Sequence, residues 1–223
     1  MYRYILFDLD GTLTDSREGI VNCTKAVLAG YGDPPLPEET LLRFIGPPLQ
    51  DSFIRFCGYS PEKAAEAVER FRLRYEPIGQ YENRPAPGAA ELMERLRKRG
   101  FVLALASSKP ENLCVSICQR YGFTPHLSAL VGSPPHGDWS KEDVIREALR
   151  QLGLAPGAAE ALMVGDRKFD VAGARACGLD CVGVEFFGYA PPGELEEAGA
   201  VAVVPTVEAL EAFLLAHSAP AAE

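Results

Sequence analysis

Ile5-Leu6-Phe7-Asp8-Leu9-Asp10-Gly11-Thr12-Leu13 is the stretch on which the reading of the fold turns. An apolar run that ends in two carboxylates at alternate positions, with glycine next, has the pattern of a buried strand delivering acids to a sheet edge. Side chains two apart in a strand point the same way, so the pattern predicts Asp8 and Asp10 on one face. Like charges held that close repel, and burial strengthens the repulsion; a divalent cation beside them or a proton on one of them relieves it. A plain Asp-Gly bend at a strand end has the same spelling. Taken alone, the stretch supports both a turn and a site.

Outward from it, the chain changes character twice. Residues 19–29 carry apolar positions at helical spacing, Pro34-Pro35 interrupts, 38–45 resumes, and Gly46-Pro47-Pro48 interrupts again. Ser60-Pro61-Glu62 then reads as an N-cap with proline at the first helical position, followed by the stripe Ala64, Val68, Phe71 and Tyr75. With no strand pattern between 15 and 82, this segment is expected to be a helical insertion. Past the breakers Pro85-Ala86-Pro87-Gly88 the periodicity alternates. Short apolar strands are predicted at 101–106, 127–131, 161–164, 180–184 and 201–204, and helices between or beside them at 89–100, 111–121, 141–152, 169–177 and 207–215. All-apolar strands alternating with helices predict an α/β fold, a Rossmann-like parallel sheet with helices on both faces. The expected domains are therefore a core of 1–14 and 83–223 and a small all-helical cap of 15–82 inserted after the first strand.

The totals exclude several classes. With 47% hydrophobic and 24% charged residues, the 223-residue chain is globular rather than disordered. Thirty-one acidic against 22 basic residues give a net charge of -9, which argues against nucleic acid or an anionic membrane as partner. No signal peptide or membrane-spanning run is visible, so a cytoplasmic location is expected. The six cysteines, Cys23, Cys57, Cys114, Cys118, Cys177 and Cys181, have no histidine at zinc-ligand spacing and read as free thiols.

In parallel sheets of this kind ligands bind beyond the carboxyl ends of the strands. Asp8, Ser107-Ser108 and Gly165-Asp166 each end an apolar strand, so residues more than a hundred apart are predicted to meet at one edge. Ser107 and Ser108 offer hydroxyls and backbone N–H groups to an anion, although helix capping explains them as well. Ser140-Lys141-Glu142-Asp143 resembles a capping box, which puts Lys141 in a first helical turn, where a cation is disfavoured by the dipole unless it faces an anion. Asp166 and Asp170, four apart, sit together at a helix start. Four carboxylates with only oxygen to offer point to Mg2+, and a cation beside an anion cradle suggests a phosphoryl group.

Asp8-Leu9-Asp10-Gly11-Thr12-Leu13, Ser107, Lys141 and Gly165-Asp166-Arg167-Lys168-Phe169-Asp170, in that order, resemble the four motifs of the haloacid dehalogenase superfamily, and the resemblance runs over nearly the whole chain. The helical insertion between the first two motifs is similar to the cap of its phosphoglycolate phosphatase-like branch. The resemblance implies a Mg2+-dependent phosphatase acting on a small phosphorylated metabolite, a phosphoglycolate, nucleotide or sugar phosphate. It makes Asp8 the nucleophile that becomes an aspartyl phosphate and Asp10 the general acid and then base. It places Mg2+ on Asp8, the backbone carbonyl of Asp10, and Asp166, with Asp170 in support, and gives the phosphoryl oxygens to Ser107 and Lys141. The second motif often has Thr where this chain has Ser107. An acid at Asp10 is expected to need burial or a neighbouring carboxylate to keep its proton.

Competing readings remain open at this stage. A phosphomutase uses the same two acids and a similar cap. A receiver-type signalling domain shares the acidic Mg2+ pocket, hydroxyl and Lys, but has neither the insertion nor a counterpart of Asp10. A dehalogenase does not need Asp10, and phosphonate hydrolysis requires a cap Schiff-base lysine, whereas Lys25 and Lys63 read as solvated. Arg43 or Arg55, beside the rigid Gly46-Pro47-Pro48 break, is placed to reach a second anionic group of the substrate, unless these are an ordinary turn and surface arginines. His126, His136 and Trp139 read as loop packing. The chain is expected to act as a monomer or homodimer.

Overall fold

The computed structural model describes residues 1–134 and 139–218. The strands are β1 (Tyr4–Phe7), β2 (Thr14–Asp15), β3 (Arg84–Pro85), β4 (Val102–Pro110), β5 (Leu127–Ser133), β6 (Ala161–Gly165), β7 (Asp180–Val184) and β8 (Ala202–Val204). The helices are α1 (Arg17–Tyr31), α2 (Glu38–Leu42), α3 (Leu49–Cys57), α4 (Pro61–Tyr75), α5 (Ala89–Lys98), α6 (Glu111–Arg120), α7 (Lys141–Gln151), α8 (Lys168–Ala176), α9 (Glu194–Ala198) and α10 (Val207–Ala216). The chain divides into two compact units, Met1–Thr14 with Pro85–Glu223, and Asp15–Arg84. The segments that leave and re-enter the first unit, β2 and β3, pair with each other.

The first unit is built on a six-stranded sheet of order β5-β4-β1-β6-β7-β8, parallel throughout. Its strands alternate as the pleat demands. Ile5 and Phe7 pack on one face with Leu92, Met93 and Leu96 of α5 and Ile117 of α6. Leu6 packs on the other face with Val144 and Ile145 of α7 and Met163 of β6. Each such side chain taken fully out of water contributes roughly 1.5–3 kcal/mol, which is what holds the central strand in place. β1 lies between β4 and β6, so its carboxyl end is the place where chain connections depart to opposite sides of the sheet. A crevice at that position is where open α/β sheets take their ligands.

The second unit is helical, as the absence of strand patterning predicts. Ser60 caps α4, accepting from the Lys63 backbone N–H at 3.2 Å, and Ala64, Ala67, Phe71 and Tyr75 form its buried stripe. Val68, expected in that stripe, is only half-buried. Helix α3 was not anticipated; its buried Phe53 meets Phe44 edge-on, 5.2 Å between centroids.

Other differences have simple causes. β1 stops at Phe7, so Asp8 and Asp10 lie beyond the strand and not on one of its faces. β4 continues past Ala106 to Pro110, with a register irregularity that keeps it beside β5. Among the described residues the cysteines form no disulfide; five of them are buried and Cys57 is only half-buried. Trp139 is exposed rather than packed, and His136 lies outside the described residues. Among the described residues no helix is long and apolar enough to cross a membrane.

Candidate active site

Three connections of the sheet deliver the predicted polar clusters to one place. The turn after β1 carries Asp8 and Asp10, the loop after β6 carries Asp166 and leads into α8 with Asp170, and α7 presents Lys141 from its first turn. The capping box that positions Lys141 is present: Ser140 Oγ accepts from Asp143 N at 3.3 Å, and Ser140 N donates back to Asp143 Oδ2 at 2.8 Å. Gly11 is required here. Its φ of +88° suits glycine, and a Cβ at this position would lie 2.1 Å from Asp166 Oδ2.

Lys141 is almost enclosed, with 9% of its side chain exposed, and its ammonium lies 2.7 Å from Asp8 Oδ1 and 2.9 Å from Asp170 Oδ1. It also donates to the Ala106 carbonyl at 3.2 Å. Burial acts to lower its pKa, but the carboxylates of Asp170 and Asp8 outweigh burial and hold the ammonium above the ordinary lysine value. Asp166 accepts from Thr12 Oγ1 at 3.3 Å, and Asp170 Oδ2 accepts from the Arg167 backbone N–H at 3.0 Å. Burial, then the charges of Asp170 and Asp8, push the Asp166 carboxyl well above the usual range. Burial also raises Asp170, with Lys141 opposing. The loop bearing Asp166 is tied from outside: the Arg167 guanidinium Nε donates to Glu194 Oε1 at 2.8 Å, and the Lys168 backbone N–H donates to the same oxygen at 3.2 Å.

The set fits a hard divalent cation. Asp8, Asp166 and Asp170 each offer a carboxylate oxygen, and these lie within 4.8 Å of one another. Asp166 Oδ2 is buried with no hydrogen-bond donor, and the Lys141 ammonium pairs with two of the three acids, Asp8 and Asp170. Oxygen-only donors of this charge match Mg2+.

Asp10 is placed differently from the expectation. Its carboxylate is not in that cluster; Oδ2 lies 2.7 Å from the ammonium of Lys109, whose side chain is 6% exposed. Burial or a neighbouring carboxylate was expected at Asp10; the structure leaves its side chain largely enclosed and sets a cation beside it, because β4 runs on through Pro110 and carries Lys109 with it. Ser107 is buried within β4 rather than following it, and its Oγ accepts from Lys109 N at 3.4 Å. Ser108 is exposed, and the helix begins at Glu111, as predicted, so the serines precede it and are not its first-turn N–H groups. Arg43 and Gly46 belong to the helical unit. Arg43 ends α2, largely exposed and paired with Glu39, and Gly46 sits at φ +100° in the break before α3. Sequence reasoning assigned no role to Lys109, Thr12 or Glu194. Thr12 stands inside the quoted opening motif and Lys109 directly follows the Ser107-Ser108 pair, whereas Glu194 gave no local signal.

Comparison with known proteins agrees with this geometry. Residues 5–184 match the model of the haloacid dehalogenase-like hydrolase family. A 5'-nucleotidase of Pseudomonas aeruginosa is 42% identical over 186 residues, 83% of each chain. A phosphoglycolate phosphatase of Cupriavidus necator is 35% identical over 224 residues, 98% of this chain and 96% of that one. The crystal structure described as a predicted phosphatase from Clostridium acetobutylicum aligns with a TM-score of 0.90 at 36% identity, covering 97% of this chain and 99% of that one. A strand-end acid cluster of this composition, on this sheet order, with such relatives along nearly its whole length, means that the chain belongs to the haloacid dehalogenase-like hydrolases, among their phosphatases.

Proposed function

We propose that the chain is a Mg2+-dependent phosphatase that hydrolyses a small phosphate monoester through an aspartyl phosphate on Asp8. The observation that carries the reading is the meeting of Asp8, Asp166, Asp170 and Lys141 in one nearly closed cluster. Asp8, Asp166, the Asp10 backbone carbonyl and Asp170 would hold Mg2+, which supplies charge neutralisation for an anion approaching anions. Lys141 shares that task and orients Asp8. The Asp8 carboxylate bonds to phosphorus as the ester P–O bond breaks, and Asp10 gives its proton to the departing oxygen. Asp10 then takes a proton from water as the water oxygen bonds to phosphorus, the bond to Asp8 breaks, and inorganic phosphate leaves. Ser107, buried at the end of the apolar part of β4, is assigned to a phosphoryl oxygen, with Ser108 in a lesser, backbone role.

The relatives named above differ in what their names say they act on, a nucleotide in one and phosphoglycolate in the other. The reading therefore stops at the class, small phosphorylated metabolites, and assigns selection among them to the helical unit, with Arg43 and the Gly46 break as the candidate contacts. The test is a panel of phosphoglycolate, nucleoside monophosphates and sugar phosphates assayed for phosphate release with Mg2+ and with a chelator. Release that requires Mg2+ supports the reading. Isomerisation of a sugar phosphate faster than phosphate release identifies a mutase and overturns it.

A further inference from the structure

We propose that Lys109 is a positioning residue that holds Asp10 as the base for the second half-reaction, the attack of water on the phosphorylated Asp8. The inference rests on the reading of Asp8 and Asp10 given above and assigns a new residue to it. Lys109 is fixed along its whole length. Its backbone N–H donates to Ser107 Oγ at 3.4 Å, and its carbonyl accepts from Cys114 Sγ at 3.5 Å. That carbonyl also packs so closely on β5 that a Cβ at Gly132 would lie 2.8 Å from it. From this anchored backbone a 6%-exposed side chain reaches Asp10 Oδ2 at 2.7 Å.

Asp10 itself lies beyond β1, its backbone bridged to Thr14 in the turn, and its carboxylate is oriented by the contact with Lys109. With Oδ2 held by Lys109, Oδ1 is buried with no hydrogen-bond partner. That is the arrangement a base needs, one oxygen anchored and the other turned to the proton it will take. In the step concerned, the water oxygen bonds to phosphorus, its proton passes to Asp10 Oδ1, and the electron pair of the broken P–O bond returns to the Asp8 carboxylate. A lysine that instead bound the phosphoryl group would act in both half-reactions, and a merely structural ion pair would act in neither.

These roles separate kinetically. With p-nitrophenyl phosphate, whose leaving group departs without an acid, kcat/KM reports transfer to Asp8, and kcat falls when removal from Asp8 becomes slow. Wild type, Lys109→Met, Lys109→Gln and Lys109→Arg are compared in Mg2+, with melting curves to show that each is folded; the Gln variant carries the test should the Met variant not fold. The expected result for Lys109→Met is a kcat about 10^2-fold lower with kcat/KM within about threefold, an initial burst of nitrophenolate approaching one per enzyme, and phosphoenzyme that accumulates. Lys109→Arg, which keeps the charge, retains kcat to within about threefold. A parallel fall in kcat and kcat/KM without a burst assigns Lys109 to phosphoryl binding or to structure and overturns the inference. Unchanged kinetics overturn it as well. Failure of the wild type to release phosphate overturns the underlying reading, and is seen before any variant is made.

Discussion

Two buried lysines meet aspartates in this site, and their surroundings differ. Around Lys141 one ammonium faces Asp8 and Asp170 directly, with Asp166 close by, so that negative charge is in excess. Around Lys109 one ammonium faces one carboxylate. An excess of buried charge is costly without a further cation, which is why the first cluster reads as a place to hold Mg2+ and an attacking carboxylate. The Lys109–Asp10 contact carries no such excess of acids, and its proposed role is to orient instead. The difference teaches that the paired acids of the opening motif do not share an environment, although only Leu9 separates them. Each has its own cation, and the proposed mechanism gives each its own task.

The contrast is broken most severely by Asp8→Asn, which is expected to lower kcat/KM about 10^4-fold or more and, because it removes a charged Mg2+ ligand, to weaken Mg2+-induced stabilisation as well. Phosphate release measured on the purified variant checks this. Next comes Lys141→Met, which leaves three buried acids facing no ammonium. It is expected to reduce kcat/KM about 10^3-fold and to cost roughly 3–5 kcal/mol of metal-free stability, read by urea unfolding in chelator.

Asp166→Asn sharpens the charge argument because it moves stability and activity in opposite directions. The folded-state pKa of Asp166 is raised by burial and its acidic neighbours. A carboxyl shifted upward destabilises the fold once pH passes the unfolded value near ~4, and the penalty grows until the group is ionised in both states. In chelator at neutral pH the variant is therefore expected to melt about 2–4 °C above wild type, with the gap closing as pH falls, while activity and the Mg2+-induced rise in Tm are lost. The smallest expected effects separate the two serines: Ser107→Ala, at a side chain that is 2% exposed, lowers kcat/KM about tenfold. Ser108→Ala, in the exposed neighbour, changes it less than about threefold.

Much of this was legible in the residues. The apolar run before Asp8, the breakers around the helical insertion and the Ser140 capping box are local signals, and the structure repeats them in place. What stayed hidden depends on contacts across the sheet. Nothing near Asp10 indicates that its partner is Lys109, because that contact exists only where β4 runs four residues beyond its apolar core, to Pro110. β1 ending at Phe7 was hidden for a related reason: Leu9 is fully buried and reads as strand, yet it lies in a turn, its carbonyl accepting from the Leu13 and Thr14 backbone N–H groups. Glu194 opens a five-residue acidic helix with no periodicity to announce it, and only its contact with Arg167 shows what it does.

The most direct test of the account is to stop wild-type turnover of p-nitrophenyl phosphate in acid and map the phosphoryl group by peptide mass spectrometry. Under the account it lies on Asp8, requires Mg2+ to form, and is absent from the Asp8→Asn protein. Phosphate release with no protein-bound phosphoryl group, or with one on another residue, would contradict it.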